Sequence, residues 1–186
     1  MKDFGLTEEQ RLIRDTVKGI AKEHFLPGAA AADRQCKPPV DNLKVLAGHG
    51  FTGMFMPEAY GGAGLGLMEN VLVVEQLARY CANTAMLFSC TDGATPRALL
   101  GVGTEEQKRR YLPRVVKGEL LTAWSMSEPN AGSDVGNVQT KAVPDGDDYV
   151  INGTKIWCTA AQVSDLFLVL VRLDASPGMK GVGVIL

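Results

Sequence analysis

The 186-residue chain has no Cys-x-x-Cys pair, no histidine at metal-ligand spacing, no long block of one charge and no apolar run of bilayer length. Each absence removes a class of function. Cys36, Cys81, Cys90 and Cys158 are too scattered for a zinc site or a disulfide framework and read as free thiols. His24 and His49 fall on expected helices beside apolar neighbours and read as packing residues. Nineteen basic against twenty-one acidic side chains give no electrostatic reason to expect nucleic acid or an anionic membrane as partner. The cluster Lys108-Arg109-Arg110 reads as a solvated helix face. With no segment of the ~20 apolar residues that span a bilayer and no secretory pattern, the expected location is the cytoplasm. What is present is an ordinary globular composition, 46% apolar, enough for one good core or two small ones.

The first two thirds carry helical periodicity. Thr7 with Gln10 forms a capping box, and an apolar stripe through Leu12 or Ile13, Val17, Ile20 or Ala21, and His24 or Phe25 runs until Pro27 and Gly28, which are expected to stop it. A shorter helix is expected from Pro39 to Ala47 and another from Leu67 to Tyr80, whose Val71-Leu72-Val73-Val74 segment is expected to be deeply buried. An apolar stretch follows from Thr84 to Leu100. Thr104 and Gln107 repeat the capping box at the head of a charged helix that Pro113 is expected to break or kink. The glycine-rich loop 61–66 lacks the preceding strand and glycine spacing of a dinucleotide fingerprint, and its glycines read as letting the loop pass close to another helix.

From Leu120 the period changes to that of strands, over 138–143, 149–151, 155–157 and 167–173. These are separated by Pro144-Asp145-Gly146, Asn152-Gly153 and Ser176-Pro177-Gly178. Asn152-Gly153 is a tight-hairpin signal. The expected fold is therefore α+β: an all-helical domain, residues 1–119, then an incomplete antiparallel, barrel-like β-domain, residues 120–186. The last residues, Gly183-Val184-Ile185-Leu186, read as the middle of a strand, so the chain is expected to be cut short.

Two segments carry the chemistry. Trp124-Ser125-Met126-Ser127-Glu128-Pro129-Asn130-Ala131-Gly132-Ser133-Asp134 leaves a strand and opens into a small polar loop with unobstructed amides at Gly132, as a loop touching an electron-rich ring or a phosphate requires. Asn152-Gly153-Thr154-Lys155-Ile156-Trp157-Cys158-Thr159 supplies an indole and a hydroxyl. Together they read as a flavin site built from two strands.

The strings PEAYGG, GTEEQKRRYLP, SEPNAGSD and NGTKIW, in this order, resemble landmarks of the acyl-CoA dehydrogenase family of flavoproteins. The resemblance runs the length of the chain, over the family's amino-terminal helical domain and the opening of its middle β-domain. It implies a non-covalent FAD against the middle domain and an acyl-CoA thioester on the other face of the ring. It implies a reaction in which a carboxylate takes the α-proton as a hydride leaves Cβ for flavin N5. It implies that Trp124, Met126 and Ser127 line the isoalloxazine edge, and that Gly132 and Ser133 reach the ribityl-phosphate portion. Ser133 would also touch the thioester, Trp157 would shield the ring, and Thr159 would place its hydroxyl near N5.

Amide and hydroxyl donors suit this chemistry. A flavin accepting hydride gains negative charge around N1 and O2, and a polarised thioester carbonyl makes the α-proton acidic; one such donor is worth ~3 kcal/mol. Glu128 reads as a carboxylate that orders its loop. The family's catalytic glutamate and its carboxy-terminal helical bundle lie outside these residues, so no catalytic base is assigned here and this chain alone is expected to be inactive. Ala160-Ala161 stands where relatives commonly carry Asn-Gly, and Ser125 where another small residue is usual. The resemblance further implies fatty acid metabolism, an electron-transferring flavoprotein as partner and a dimer or homotetramer. Alternatives are the reverse enoyl-CoA reduction, a flavin-dependent oxidase or monooxygenase of the same fold, and a non-catalytic binding module. Acyl preference is expected to depend on residues 88–98, where Cys90, Thr91 and Asp92 suit a short or functionalised acyl group.

Overall fold

The computed structural model describes residues 5–186. The chain divides into two compact units, residues 1–121 and 122–186.

The first unit is helical. The Thr7 capping box forms as its sequence dictates and opens α1 (Glu8–Ile20). The helical path does not stop at Pro27 and Gly28. A π-helical turn, Ala21–Phe25, carries it into α2 (Leu26–Gln35), with Pro27 in that helix's first turn. An α-helical bond from residue 27 to residue 23 is one that proline cannot make, and the wider turn just before it relieves the ring's clash with the preceding turn. Next come α3 (Val40–Gly48) and α4 (Leu67–Tyr80), the latter with the bounds its periodicity predicts. Within α4, Leu72 and Val73 are buried but Val71 is half exposed, so the burial is one-sided. The apolar stretch after it is two helices, α5 (Ala82–Thr91) and α6 (Ala94–Val102), parted at Asp92 and Gly93. A Cβ at Gly93 would lie 2.1 Å from the Ser89 carbonyl oxygen, so the break needs glycine. The second capping box starts α7 (Glu105–Val116), which continues past Pro113 by three residues because Leu112 and Val115 on either side are buried.

Side-chain bonds tie these helices together. Gln10 donates to Glu69 at 2.8 Å between α1 and α4, and Asn42 donates to Thr84 at 2.7 Å between α3 and α5. The apolar centre includes Val17, Phe25, Leu46, Met56, Leu77 and Phe88. Gly62 lies over the turn at Gly53 to Met56, where a Cβ would meet the Met56 carbonyl oxygen at 2.1 Å. Close backbone passage, here against a turn rather than a helix, accounts for this glycine.

The second unit holds a five-stranded mixed sheet that is not closed: β1 (Thr122–Ser125), β2 (Lys141–Asp145), β3 (Asp148–Asn152), β4 (Leu166–Arg172) and β5 (Val182–Ile185). The apolar β4 is its hub. It pairs in parallel with β1, antiparallel with β5, and in parallel with the start of β2 through Lys141 and Arg172. The hairpin of the sheet is β2–β3, turning through Gly146 and Asp147, not through Asn152-Gly153. Gly153 answers a different constraint, for a Cβ there would lie 2.6 Å from the Thr140 Cα. Residues 155–157 form no strand. Arg172 fastens the outer loops: its guanidinium donates to the carbonyls of Ser176 and Gly178, both at 2.9 Å, and to those of Val138 and Gly136.

Candidate functional site

The structure lays the segment 124–128 alongside the segment 155–158. The Ile156 amide donates to the Ser127 carbonyl at 2.9 Å. The Lys155 ammonium donates to the Met126 carbonyl at 2.9 Å and to Glu128 Oε1 at 2.8 Å. One step further on, Cys158 Sγ lies 3.0 Å from Ser125 Oγ and donates to the Trp124 carbonyl at 3.4 Å. The irregular path of 155–157 follows from these bonds: Lys155 and Ile156 clasp the 126–128 backbone rather than extend a ladder.

Glu128 is the anchor. It is 6% exposed, and besides Lys155 it accepts the amides of Gln139 at 2.7 Å and Thr140 at 2.9 Å. Burial works against its charge, but the Lys155 ammonium and the two amides outweigh it and hold the carboxyl down at about 2. Such a group orders a loop and takes no proton at neutral pH, in keeping with the role read for Glu128 in the sequence. Its amide and carbonyl also exchange bonds with Ala131 at 2.8 and 3.1 Å, closing the turn through Pro129 and Asn130 that aims the chain at Gly132.

The residues singled out in the sequence fall as follows. Trp124 is 37% exposed, on β1 between buried Ala123 and Ser125. Met126 packs on the cluster of Ala131, Val138 and Leu170, and its carbonyl is taken by Lys155. Ser127 is part-buried, and its amide has no partner among the described residues. Gly132 and Ser133 are exposed on the bend, and a Cβ at Gly132 would meet open space. Trp157 is 86% exposed with φ +57°, a left-handed backbone that a bulky residue rarely adopts. Thr159 is exposed at the start of a turn in which Ala160 has φ +64°.

Lys155 and Arg172 were not among the residues picked from sequence. Lys155 lies inside the NGTKIW string, and a charge just before the apolar Ile156 and Trp157, 27 residues from a carboxylate in the other landmark, was the available signal. A separate cleft of about 620 Å³ on the same unit is lined by Gly136, Asn137, Lys141, Arg172 and Ser176 among others, and by none of the seven residues above. Among the described residues no group of His, Cys, Asp or Glu is arranged to hold a metal ion, and no helix is long and apolar enough to cross a membrane.

Comparison with known proteins agrees with this layout. Residues 7–119 match the N-terminal domain of acyl-CoA dehydrogenase and residues 123–186 its middle domain. A short-chain-specific acyl-CoA dehydrogenase of Clostridium acetobutylicum is 39% identical over 97% of this chain and 48% of its own length. An acyl-CoA dehydrogenase of Geobacillus kaustophilus superimposes with TM-score 0.92 at 30% identity, over 98% of this chain and 48% of that one. A glutaryl-CoA dehydrogenase of Mycobacterium smegmatis in complex with FADH2 does so with TM-score 0.86 at 27% identity, over 91% and 44%. The chain thus spans about half the length of the curated relatives it matches. On its two domain matches and its fold, the chain belongs to the acyl-CoA dehydrogenase family.

Proposed function

We propose that this chain is the FAD-holding portion of an enzyme that desaturates an acyl-CoA thioester between Cα and Cβ. The observation that carries the reading is Trp157: a bulky, exposed indole held in a left-handed backbone by the clasp between 124–128 and 155–158. Strain of this kind costs about 1–3 kcal/mol and persists where the surroundings impose it, as at ligand sites.

The residues fit a flavin. The indole offers a flat apolar face, the Ser127 amide is an unspent donor among the described residues, and the open approach at Gly132 leaves room for a phosphate-bearing chain. Bound there, FAD supplies the hydride acceptor, its N5. Ser127, through its amide, and Thr159, through its hydroxyl, would meet the negative charge that reduction brings. Trp157 excludes water from the ring, and Trp124 and Met126 border it. Gly132 and Ser133 hold the ribityl-phosphate portion, with Ser133 also contacting the thioester. Fixed donors of this sort favour the charge-bearing transition state over the ground state. None of these residues is assigned as the base that removes the α-proton, and an electron-transferring flavoprotein would take the electrons onward. The names of relatives called acyl-CoA dehydrogenases, of whose length this chain spans 48% and 43%, support the desaturation part of the reading.

The test is anaerobic stopped-flow reduction of the complete FAD-loaded enzyme by a short-chain acyl-CoA. Bleaching of the flavin that slows by about a hundredfold in Thr159→Ala, with acyl-CoA affinity little changed, supports the assignment. An unchanged rate removes Thr159 from it, and no bleaching by any acyl-CoA contradicts the reading.

A further inference from the structure

We infer that Lys155 is a positioning residue: it fixes the peptide between Met126 and Ser127 so that the Ser127 amide is presented to the ligand, while Glu128 holds the ammonium in place. The inference rests on the flavin reading above and deepens it. Lys155 Nζ donates to the Met126 carbonyl at 2.9 Å. A trans peptide is planar, so the amide of the next residue points opposite to that carbonyl. Among the described residues no peptide bond is cis. The Ser127 amide therefore faces away from the ammonium, and it is the one group of that peptide with no partner among the described residues.

The peptide's neighbours are fixed too. Ile156 occupies the Ser127 carbonyl and Ala131 the Glu128 amide, which leaves the Met126–Ser127 plane as the remaining freedom. Among the described residues, the side chain that hydrogen-bonds this peptide is that of Lys155. The side chains of Lys155 and Glu128 are 11% and 6% exposed, and a buried ion pair of this kind adds little net stability over an apolar pair of the same volume. What it supplies is geometry: Glu128 is itself held by the amides of Gln139 and Thr140, so the ammonium has one place to sit.

The test compares wild type with Lys155→Met, which keeps the stem and removes the donor, and Lys155→Arg, which keeps a cationic donor; FAD is the probe. The expected result for Lys155→Met is an FAD dissociation constant raised by about tenfold and a lowered flavin midpoint potential, because an oriented donor to the reduced ring is lost. Lys155→Arg recovers part of both. A folded Lys155→Met protein with wild-type affinity and potential overturns the inference and leaves the flavin reading intact. Wild type that binds no FAD overturns the reading and the inference together. Should Lys155→Met fail to fold, ¹⁵N-labelled wild type decides: on FAD addition the Ser127 amide must shift downfield and gain protection from exchange, and an unaffected Ser127 amide overturns the inference.

Discussion

Lys155 and Glu128, 27 residues apart, meet at 2.8 Å in a buried ion pair that joins the two halves of the candidate flavin surface. Because the folded protein holds Glu128 at about 2, against an ordinary 4.5, its stabilising charge is complete above pH 4.5 and is lost as pH falls from there to about 2. Urea unfolding of wild type across this window is expected to show that loss. Removing the cation in Lys155→Met leaves a buried carboxylate short of its main partner, and is expected to cost about 3 kcal/mol at pH 7 and flatten the dependence below pH 4.5. Equal stability of the two proteins at pH 7 would contradict this account of the pair.

Trp157 and Ala160 share a left-handed backbone with no glycine at either position. Trp157→Gly and Trp157→Ala both discard an exposed indole, and only alanine keeps the Cβ that this backbone disfavours. Thermal unfolding is expected to find the glycine variant the more stable by about 1 kcal/mol, with FAD binding weakened in both. At Ala160, asparagine tolerates the conformation better, so Ala160→Asn is expected to raise stability by about 0.5 kcal/mol. Alanine and glycine of equal stability at 157 would mean that the strain is not there.

Asp92 is a second buried carboxyl, at the break between α5 and α6, where Oδ1 accepts the Gly53 amide and Oδ2 has no hydrogen-bond partner among the described residues. Burial pushes it up to about 7, against the smaller opposing effects of the Gly53 amide and the Arg97 charge. The sign is the reverse of that at Glu128. Stability is complete below the ordinary value of 3.8 and falls as pH rises to about 7, by about 4 kcal/mol at the most. Asp92→Asn, which keeps the acceptor for Gly53, is expected to abolish that slope and to exceed wild type in stability at pH 8. A slope unchanged by the substitution would rule out Asp92 as its source. This carboxyl is engaged with the turn at Gly53, so the expectation that residues 88–98 select a polar acyl group remains a proposal.

Local signals in the sequence translated directly into structure. Both capping boxes and the bounds of α4 depend on residues within four positions of one another, and they formed as read. The order of helices before sheet was legible for the same reason. Readings failed where distant residues intervened. Asn152-Gly153 has the composition of a hairpin, yet its glycine serves the approach of Thr140, and the hairpin formed at Gly146-Asp147 instead. The π turn before Pro27 and the parallel pairing of β1 with β4 have no local mark. At the candidate site, the two landmark strings could be read and their adjacency expected. The clasp that produces it runs through Lys155, Ile156 and Cys158 to atoms some thirty positions earlier, most of them backbone carbonyls, which no residue type announces.

The most direct measurement is titration of this 186-residue chain with FAD, following indole fluorescence in a Trp124→Phe background so that Trp157 is the sole reporter. The account predicts saturable one-to-one binding, a perturbed flavin absorption band and strong quenching of Trp157. Trp157 emission indifferent to FAD, or no saturation, would contradict the claim that segments 124–133 and 155–159 form a flavin-holding surface.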